Sequence, residues 1–382
     1  MLQTDQAAPP VQARQVAAAA AELTIVVPTF NERENVPELI ERLSALLEGV
    51  RWEAVFVDDD SADGTINALR QAAQSDPRVR LLHRIGRRGL SSAVVEGIQS
   101  SAAPYIAVMD ADLQHDESIL PEMLARLKSG SCDVVVGSRY TEGGGFGEWS
   151  KERIGISQFA TKLSRLVIRS DMKLTDPMSG FFMLKRETFD GAVRKLSTQG
   201  YKILLDILAS TKTPLRIVEV PYTFRNRVHG ESKLDSAVTW EYLMLLVDKM
   251  VGHIVPVRFV MFMAVGGAGV VVHMAVLTTV FRGIGQSFEL GQAIATVTAM
   301  TFNYFANNLL TYRDKRLKGL WGNLRGLFTF YAVCSLGAVA NVGIANFLFD
   351  SQHYAWWLSG VAGILVGAVW NYAASSLFTW RK

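Results

Sequence analysis

Tyr105-Ile-Ala-Val-Met-Asp110-Ala-Asp112 decides how this chain is read. The apolar run has the length and composition of a buried strand, and it ends on two carboxylates one residue apart. In open α/β sheets, ligands bind outside the carboxyl ends of the strands, so hard oxygen donors there suit a divalent cation held against a diphosphate. Mg²⁺ or Mn²⁺ takes one or two carboxylates plus phosphate oxygens and water, and Gln114 offers a further neutral oxygen. The same acidic pair also suits a solvated turn or a helix N-cap, because residues 116–127 (DESILPEMLARL) read as a helix.

Outward from this strand, alternating elements define an α/β domain. Leu23–Val27 is a β-branched run that ends at Pro28-Thr-Phe-Asn-Glu32, and a helix is expected over residues 35–47. Ala54–Val57 ends at Asp58-Asp-Asp-Ser61, and a third strand near Val79–Leu82 leads into the basic loop His83-Arg84-Ile-Gly-Arg87-Arg88. A helix over Leu90–Ser100 precedes the strand that presents Asp110. This order predicts a mainly parallel, Rossmann-like sheet with helices on both faces and polar residues at the carboxyl ends of strands one, two and four. Neither a Gly-x-Gly-x-x-Gly fingerprint nor a Walker Gly-Lys-Ser occurs, which argues against dehydrogenases and P-loop enzymes. Asp58 or Asp59 suits hydrogen bonds from a base or ribose, and equally a solvated acidic turn.

The chain has 382 residues and a net charge of +3, which says little about partners. Residues 1–21 are Ala- and Gln-rich and read as a disordered tail; residues 22–235 read as a soluble domain. Four long runs follow, charged only at Glu289 at the start of the second: Phe259–Phe281, Glu289–Tyr312, Gly326–Phe349 and Tyr354–Trp380. Each exceeds the roughly 20 apolar residues that cross a bilayer, so four transmembrane helices are expected in residues 258–382. Arg313-Asp-Lys-Arg-Leu-Lys318 and Arg381-Lys382 carry the positive charge, whereas the loops Arg282–Phe288 and Asp350–His353 hold one Arg between them. The positive-inside rule then places the soluble domain on the cytoplasmic side of the cell membrane. Cys132 and Cys334 imply no disulfide.

A shift of 68 residues superimposes the membrane part on itself. Phe262, Ala264, Val265, Gly269 and Val271 fall on Phe330, Ala332, Val333, Gly337 and Val339; Asn303-Tyr304 falls on Asn371-Tyr372, and Thr311-Tyr-Arg313 on Thr379-Trp-Arg381. A fixed offset over both helices predicts a duplicated hairpin in parallel repeats. Asn303, Asn307, Asn308, Asn341, Asn346 and Asn371 are expected to face other helices.

Several motifs occur together: Pro28-Thr-Phe-Asn-Glu32, Asp58-Asp-Asp-Ser-Ala-Asp-Gly-Thr65, Asp110-Ala-Asp-Leu-Gln114, Val136-Gly-Ser-Arg139, Asp176-Pro-Met-Ser-Gly-Phe-Phe182 and Phe224-Arg-Asn-Arg-Val-His-Gly-Glu-Ser-Lys233. Their order and spacing resemble the inverting family-2 glycosyltransferases, and more narrowly the dolichyl-phosphate (polyprenyl-phosphate) mannose synthases. The membrane part resembles the GtrA-like four-helix domain fused to some of them. The resemblance implies a GT-A nucleotide-sugar fold and metal-dependent transfer of mannose from GDP-mannose to a polyprenyl phosphate, with inversion. It implies a nucleoside pocket of Pro28, Phe30, Glu32, Val57 and Asp59, with Ala111 at the nucleotide and Asp110, Asp112 and Gln114 on Mg²⁺ or Mn²⁺. Arg139, Arg227 and Lys233 would meet donor or acceptor phosphate, joined at the acceptor by Arg153, Ser157 and Arg225. Two departures stand out: Phe30 replaces a Tyr usual in the eukaryotic enzymes, and Gly89-Leu-Ser-Ser stands where Gly-Leu-Gly is common.

A lipid phosphate is already anionic at neutral pH, so positioning and charge neutralisation matter more than a protein base. Arginine forks suit that phosphate. To reach a lipid, the domain should dock on the bilayer through the apolar and basic segment Lys151–Arg169, with Ser236–Val251 (an interfacial helix or linker, 236–257) as a second candidate. Gly143-Gly-Gly145 reads as a flexible loop over the site or as a hairpin turn. Other readings are a UDP-glucose-type transferase to the same acceptor, or a lipid-linked-sugar flippase or scaffold with an inactive transferase domain. A processive polysaccharide synthase should carry Gln-x-x-Arg-Trp, which is absent. No nucleic-acid partner is expected, and a homo-oligomer stays open.

Overall fold

Parallel strands buried on both sides should read as continuous apolar runs, and the first strand does so in the computed structural model. The structure describes residues 20–147, 151–198, 200–227, 236–252, 254–352 and 355–381, so most of the expected N-terminal tail and all of 228–235, including Lys233, lie outside the described residues. Two compact units divide the chain, Met1–Met250 and Val251–Lys382.

The first unit runs β1 (Leu23–Thr29), α1 (Asn35–Leu46), β2 (Trp52–Asp58), α2 (Thr65–Ser75), β3 (Val79–His83), α3 (Leu90–Gln99) and β4 (Tyr105–Val108). It continues with α4 (Leu120–Lys128), β5 (Val134–Ser138), α5 (Lys151–Ser164), β6 (Phe182–Lys185), α6 (Arg186–Ala192), α7 (Ile203–Ser210), β7 (Ile217–Pro221) and α8 (Ser236–Val251). The sheet order is β3-β2-β1-β4-β6-β5-β7, with only β6 antiparallel to its neighbours. Because β6 reverses between β4 and β5, those two strands run the same way, and Arg139 after β5 reaches the same edge as Asp110.

Side chains alternate across the strands into two cores. Ile25, Val27, Phe56 and Ala107 pack with Val36, Leu39 and Leu43 of α1 and Met123 and Leu127 of α4. Val26, Val55, Val57, Ile106 and Val108 pack on the opposite face with α3, α7 and α8. Gly97 lets α3 approach closely, since a Cβ there would stand 2.5 Å from Val26 Cγ1.

The helix expected as an interfacial linker, α8, belongs to this core. Tyr242, Leu245 and Leu246 are buried in it, the Tyr242 hydroxyl donates to Ala160 O at 2.6 Å, and Lys249 pairs with buried Asp206 at 2.5 Å. The division between units therefore falls after Met250, about a helix later than the composition alone suggested.

The second unit holds α9 (Val257–Thr278), α10 (Phe288–Ala306), α11 (Gly319–Asn346) and α12 (Trp356–Ala374). Helices occupy all four apolar runs, and those containing α9, α11 and α12 are long and apolar enough to cross a membrane. α10 falls short by composition, with Glu289, Gln292, Thr296, Thr298 and Thr301 in its sequence. The internal repeat is structural. Each helix runs into a π-helical turn, at residues 279–283, 307–311, 347–351 and 375–379, so the turns recur at the offset seen in the sequence. A Cβ on Gly269 would meet Asn303 Oδ1 at 2.2 Å, and one on the equivalent Gly337 would meet Asn371 Oδ1 at 2.0 Å. The repeat partners Tyr312 and Trp380 stack on each other, ring centroids 4.1 Å apart. Asn308 accepts from Trp380 Nε1 and donates to Leu317 O, the interhelical role expected of it.

Candidate active site

A cavity of about 490 Å³ opens at the carboxyl edge of the sheet. β1 and the turn after it contribute Pro28, Thr29, Phe30 and Glu32 to its wall, the turn after β2 contributes Asp59, and the turn after β4 contributes Asp110, Ala111, Asp112, Gln114 and His115. Arg139, Met178, Gly180, Tyr201, Lys202, Phe224 and Arg227 close the side nearer β6 and β5.

The turn after β4 is tightly specified. Leu113, its side chain buried, takes a left-handed φ of 60°, and Gln114 N donates to Asp112 Oδ1 at 3.2 Å. Asp110 N donates to His115 Nδ1 at 3.0 Å, and the imidazole stacks on Phe181. Burial holds His115 neutral, its pKa lowered to about 4. A third of the Asp110 side chain is exposed, on the cavity wall. Burial and then the charge of Asp112 push its pKa up to about 7. Arg227 donates to Asp112 Oδ2 at 2.6 Å.

Across the cavity, Arg139 donates through Nε and Nη2 to the two oxygens of Asp176, at 2.7 and 2.9 Å, and Asp176 is wholly buried. Lys202 Nζ donates to Met178 O at 3.2 Å. Burial and the neighbouring Arg139 lower its pKa to about 8, which leaves the ammonium charged at neutral pH. Among the described residues no three His, Cys, Asp or Glu side chains gather as a self-sufficient metal cluster.

Comparison with known proteins fits both units. Residues 24–191 match the family described as glycosyl transferase family 2, and residues 261–380 match the GtrA/DPMS transmembrane domain. The dolichol-phosphate mannosyltransferase of Pyrococcus furiosus is 34% identical over 359 residues, which cover 94% of this chain and 99% of that protein. The chain belongs to the dolichol-phosphate mannosyltransferase family. The Saccharomyces cerevisiae member is 36% identical over 237 residues, 59% of this chain and 86% of that protein. Among solved structures, glucosyl-3-phosphoglycerate synthase from Mycobacterium tuberculosis aligns with a TM-score of 0.44 at 19% identity, covering 61% of this chain and 80% of that one. The chain is thus a glycosyltransferase and a membrane protein, its GT-A catalytic unit fused to a GtrA-like helical unit.

Within this mannosyltransferase-family site, most of the residues expected from sequence meet, and several do not. Pro28, Phe30, Glu32, Asp59, Asp110, Ala111, Asp112, Gln114, Arg139 and Arg227 all line the cavity. Val57 does not: it is wholly buried in the sheet core against α3, because its side chain points away from the cavity edge. Arg225 turns outward to Asp116 at 2.6 Å and Glu117 at 2.9 Å, and so braces the loop after β4 instead of facing the cavity. Ser157 bonds the Tyr140 hydroxyl at 2.8 Å and is not in the cavity wall. The Arg153 side chain and Lys233 lie outside the described residues. Asp59 is held by Arg84 at 2.7 Å and Gly89 N at 2.7 Å, while Asp58 accepts from Ser61 in its own turn and from Thr29 at the end of the neighbouring β1. Gly143-Gly-Gly145 is no free loop, since Gly145 N donates to Tyr222 O and Phe224 N donates to Gly145 O.

Sequence reasoning passed over His115, Lys202 and Asp176. His115 follows Gln114 directly, and Asp176 stood inside a quoted motif without a role. Lys202 carries no motif signal at all; only the fold brings the start of α7 to the cavity. Arg88 lies over the Phe30 ring, 4.2 Å from its centroid.

Proposed function

We propose that this enzyme transfers mannose from GDP-mannose to a polyprenyl (dolichyl) phosphate with inversion at the anomeric carbon, on the cytoplasmic face of the membrane. The observation that carries the reading is the acidic pair Asp110/Asp112 facing a basic wall of Arg139, Lys202 and Arg227 in one cavity. Family membership supports the same sugar and acceptor, since the Pyrococcus relative is named for mannose transfer to dolichol phosphate. Phe30, with Pro28, Glu32 and Asp59, forms the end of the cavity suited to the nucleoside, and Arg88 over the ring resembles the stacking a base would make.

Asp110 and Asp112 fit Mg²⁺ or Mn²⁺. Burial and then the Asp112 charge raise Asp110, a state that a cation would relieve, and the Gln114 nitrogen is occupied by Arg225 O at 3.0 Å, which leaves its oxygen as the donor end. When bound, the cation would neutralise charge on the departing diphosphate. Arg227 can add a proton donor to that diphosphate after releasing Asp112, and Arg139, oriented by Asp176, presents its guanidinium from the other side. No side chain needs to abstract a proton, because the acceptor phosphate is ionised. Transfer of radiolabelled sugar from a panel of nucleotide sugars to one polyprenyl phosphate tests the reading; labelled lipid formed from a UDP-sugar and not from GDP-mannose overturns it.

Cation affinity should depend on pH. Asp110 binds a proton below about 7 in the free enzyme, so a cation must displace that proton in acid. Mn²⁺ affinity should fall by up to roughly tenfold per pH unit below that value and level off above it. Calorimetry between about pH 6 and 8 measures this, and a flat profile removes Asp110 from the ligand set.

α5 supports docking on lipid. Ala160 and Leu163 pack on the core, while Ile156 is 70% and Phe159 63% exposed, with Leu166 beyond the helix end at 65%. Arg169, expected on this basic surface, is held instead by Asp171 and Lys212 O. Ile156→Glu with Phe159→Glu should remove about 3 kcal/mol of apolar insertion. In proteoliposomes the apparent KM for membrane-borne polyprenyl phosphate should rise more than roughly tenfold while the donor KM stays within about twofold. Equal losses for both substrates would assign this face to the protein's own folding.

A further inference from the structure

Three arginines stand in the loop between β3 and α3, and two of them are neutralised by carboxylates. Arg84, buried, donates to Asp59 at 2.7 Å, and Arg87 forks onto both oxygens of Glu96 at 2.8 and 3.0 Å. Arg88 makes a different contact. It is exposed at the cavity wall, and its guanidinium carbon lies 4.2 Å from the centre of the Phe30 ring. Asp60 attracts it through space, but the oxygens of that carboxylate are engaged by His83 at 3.0 Å and Gly86 N at 3.3 Å.

The backbone on either side of Arg88 is pinned. Arg84 N donates to Asp58 O at 2.8 Å, and Gly89, at a φ of 143° that favours glycine, donates its N–H to the second oxygen of Asp59 at 2.7 Å. Asp59 therefore ties the two ends of this loop together. A guanidinium over an aromatic ring at an exposed site is worth only about 0.5–1 kcal/mol, so Arg88 can leave the ring while the loop stays in place.

Phe30 has no polar side-chain atom, so its ring can hold a base only by stacking. A base stacked there takes the place that the Arg88 guanidinium now fills and lifts it by about 3.4 Å, the spacing of stacked bases. A long side chain on a pinned backbone can follow. The planar guanidinium then meets the second face of the base, a stacking contact to which arginine is suited and lysine is not. A purine offers both partners a larger π-face than a pyrimidine does. We infer that Arg88 is a specificity-determining residue for the donor: with Phe30 it sandwiches the nucleobase, and so favours the two rings of guanine over the one ring of uracil. The inference rests on the reading of this cavity as the nucleotide-sugar site.

Binding of GDP, UDP and inorganic pyrophosphate to the full-length enzyme in the presence of Mn²⁺ tests it. Arg88→Ala should weaken GDP roughly 5- to 10-fold, UDP by less than about threefold and pyrophosphate by less than about twofold. Arg88→Lys keeps the charge without the plane and should recover only part of the GDP affinity. Unchanged GDP affinity in Arg88→Ala, or equal losses for GDP and UDP, overturns the inference. So does a matching loss for pyrophosphate, or full recovery in Arg88→Lys, since either would assign Arg88 to the diphosphate as a simple charge. The donor reading itself fails on a different result, wild-type enzyme that makes labelled lipid from a UDP-sugar and not from GDP-mannose. An enzyme that uses GDP-mannose but keeps its GDP-to-UDP preference in Arg88→Ala sinks only the role of Arg88.

Discussion

Asp112→Ala should lower mannose transfer by at least roughly 100-fold, and Asp110→Ala should do the same. Both carboxylates stand at the mouth of the cavity on one tight turn, and the chemistry assigned to them is stabilisation of a leaving diphosphate. Losing one hard ligand from such a site removes several kcal/mol from the transition state. The two variants should differ in one respect. Asp112 also anchors Arg227, so Asp112→Ala releases that guanidinium and should weaken donor binding differently from Asp110→Ala. Steady-state kinetics with and without EDTA checks both; near-normal turnover in either variant, or in metal-stripped enzyme, removes the acidic pair from the reaction.

Much of this was legible in the linear sequence because the signals are local. A buried parallel strand is a continuous apolar run, and the polar residue that ends it must emerge at the sheet edge, so Pro28, Asp59 and Asp110 could be placed together before any coordinates. The repeat in the membrane unit was legible for the same reason, and the stacked pair Tyr312 and Trp380 gives its offset a physical meaning.

What escaped depends on tertiary placement. Val57 is one residue from the acidic turn, yet strand alternation sends its side chain to the α3 face of the sheet. Arg225 and Arg227 are two apart, yet one braces Asp116 and Glu117 while the other lines the cavity; their sequence context does not say which. The apolar and polar residues of α8 have the composition of an interfacial helix, but a composition cannot tell a lipid surface from the face of a sheet. Lys202 precedes a helix whose apolar residues are all core, and only the antiparallel insertion of β6 brings that helix start to the site.

The buried pair Arg139–Asp176 should give the largest effect on stability. Asp176 is fully buried, accepts both guanidinium nitrogens, and receives Arg139 N at 3.3 Å as well. Asp176→Ala leaves the arginine charge without its counter-ion in a nearly dry site, a loss of about 3–5 kcal/mol. For a catalytic unit of this size that corresponds to a drop of roughly 10 °C in its unfolding midpoint. Removing both charges together, as Asp176→Ala with Arg139→Met, takes away the unpaired ion as well as the pair, so much of the lost stability should return. Mannose transfer should not return with it, because Arg139 lines the cavity proposed to bind the phosphates. Thermal unfolding and activity measured on the same preparations separate the two roles: if the double variant regains transfer along with stability, Arg139 serves only the fold and has no place in the site.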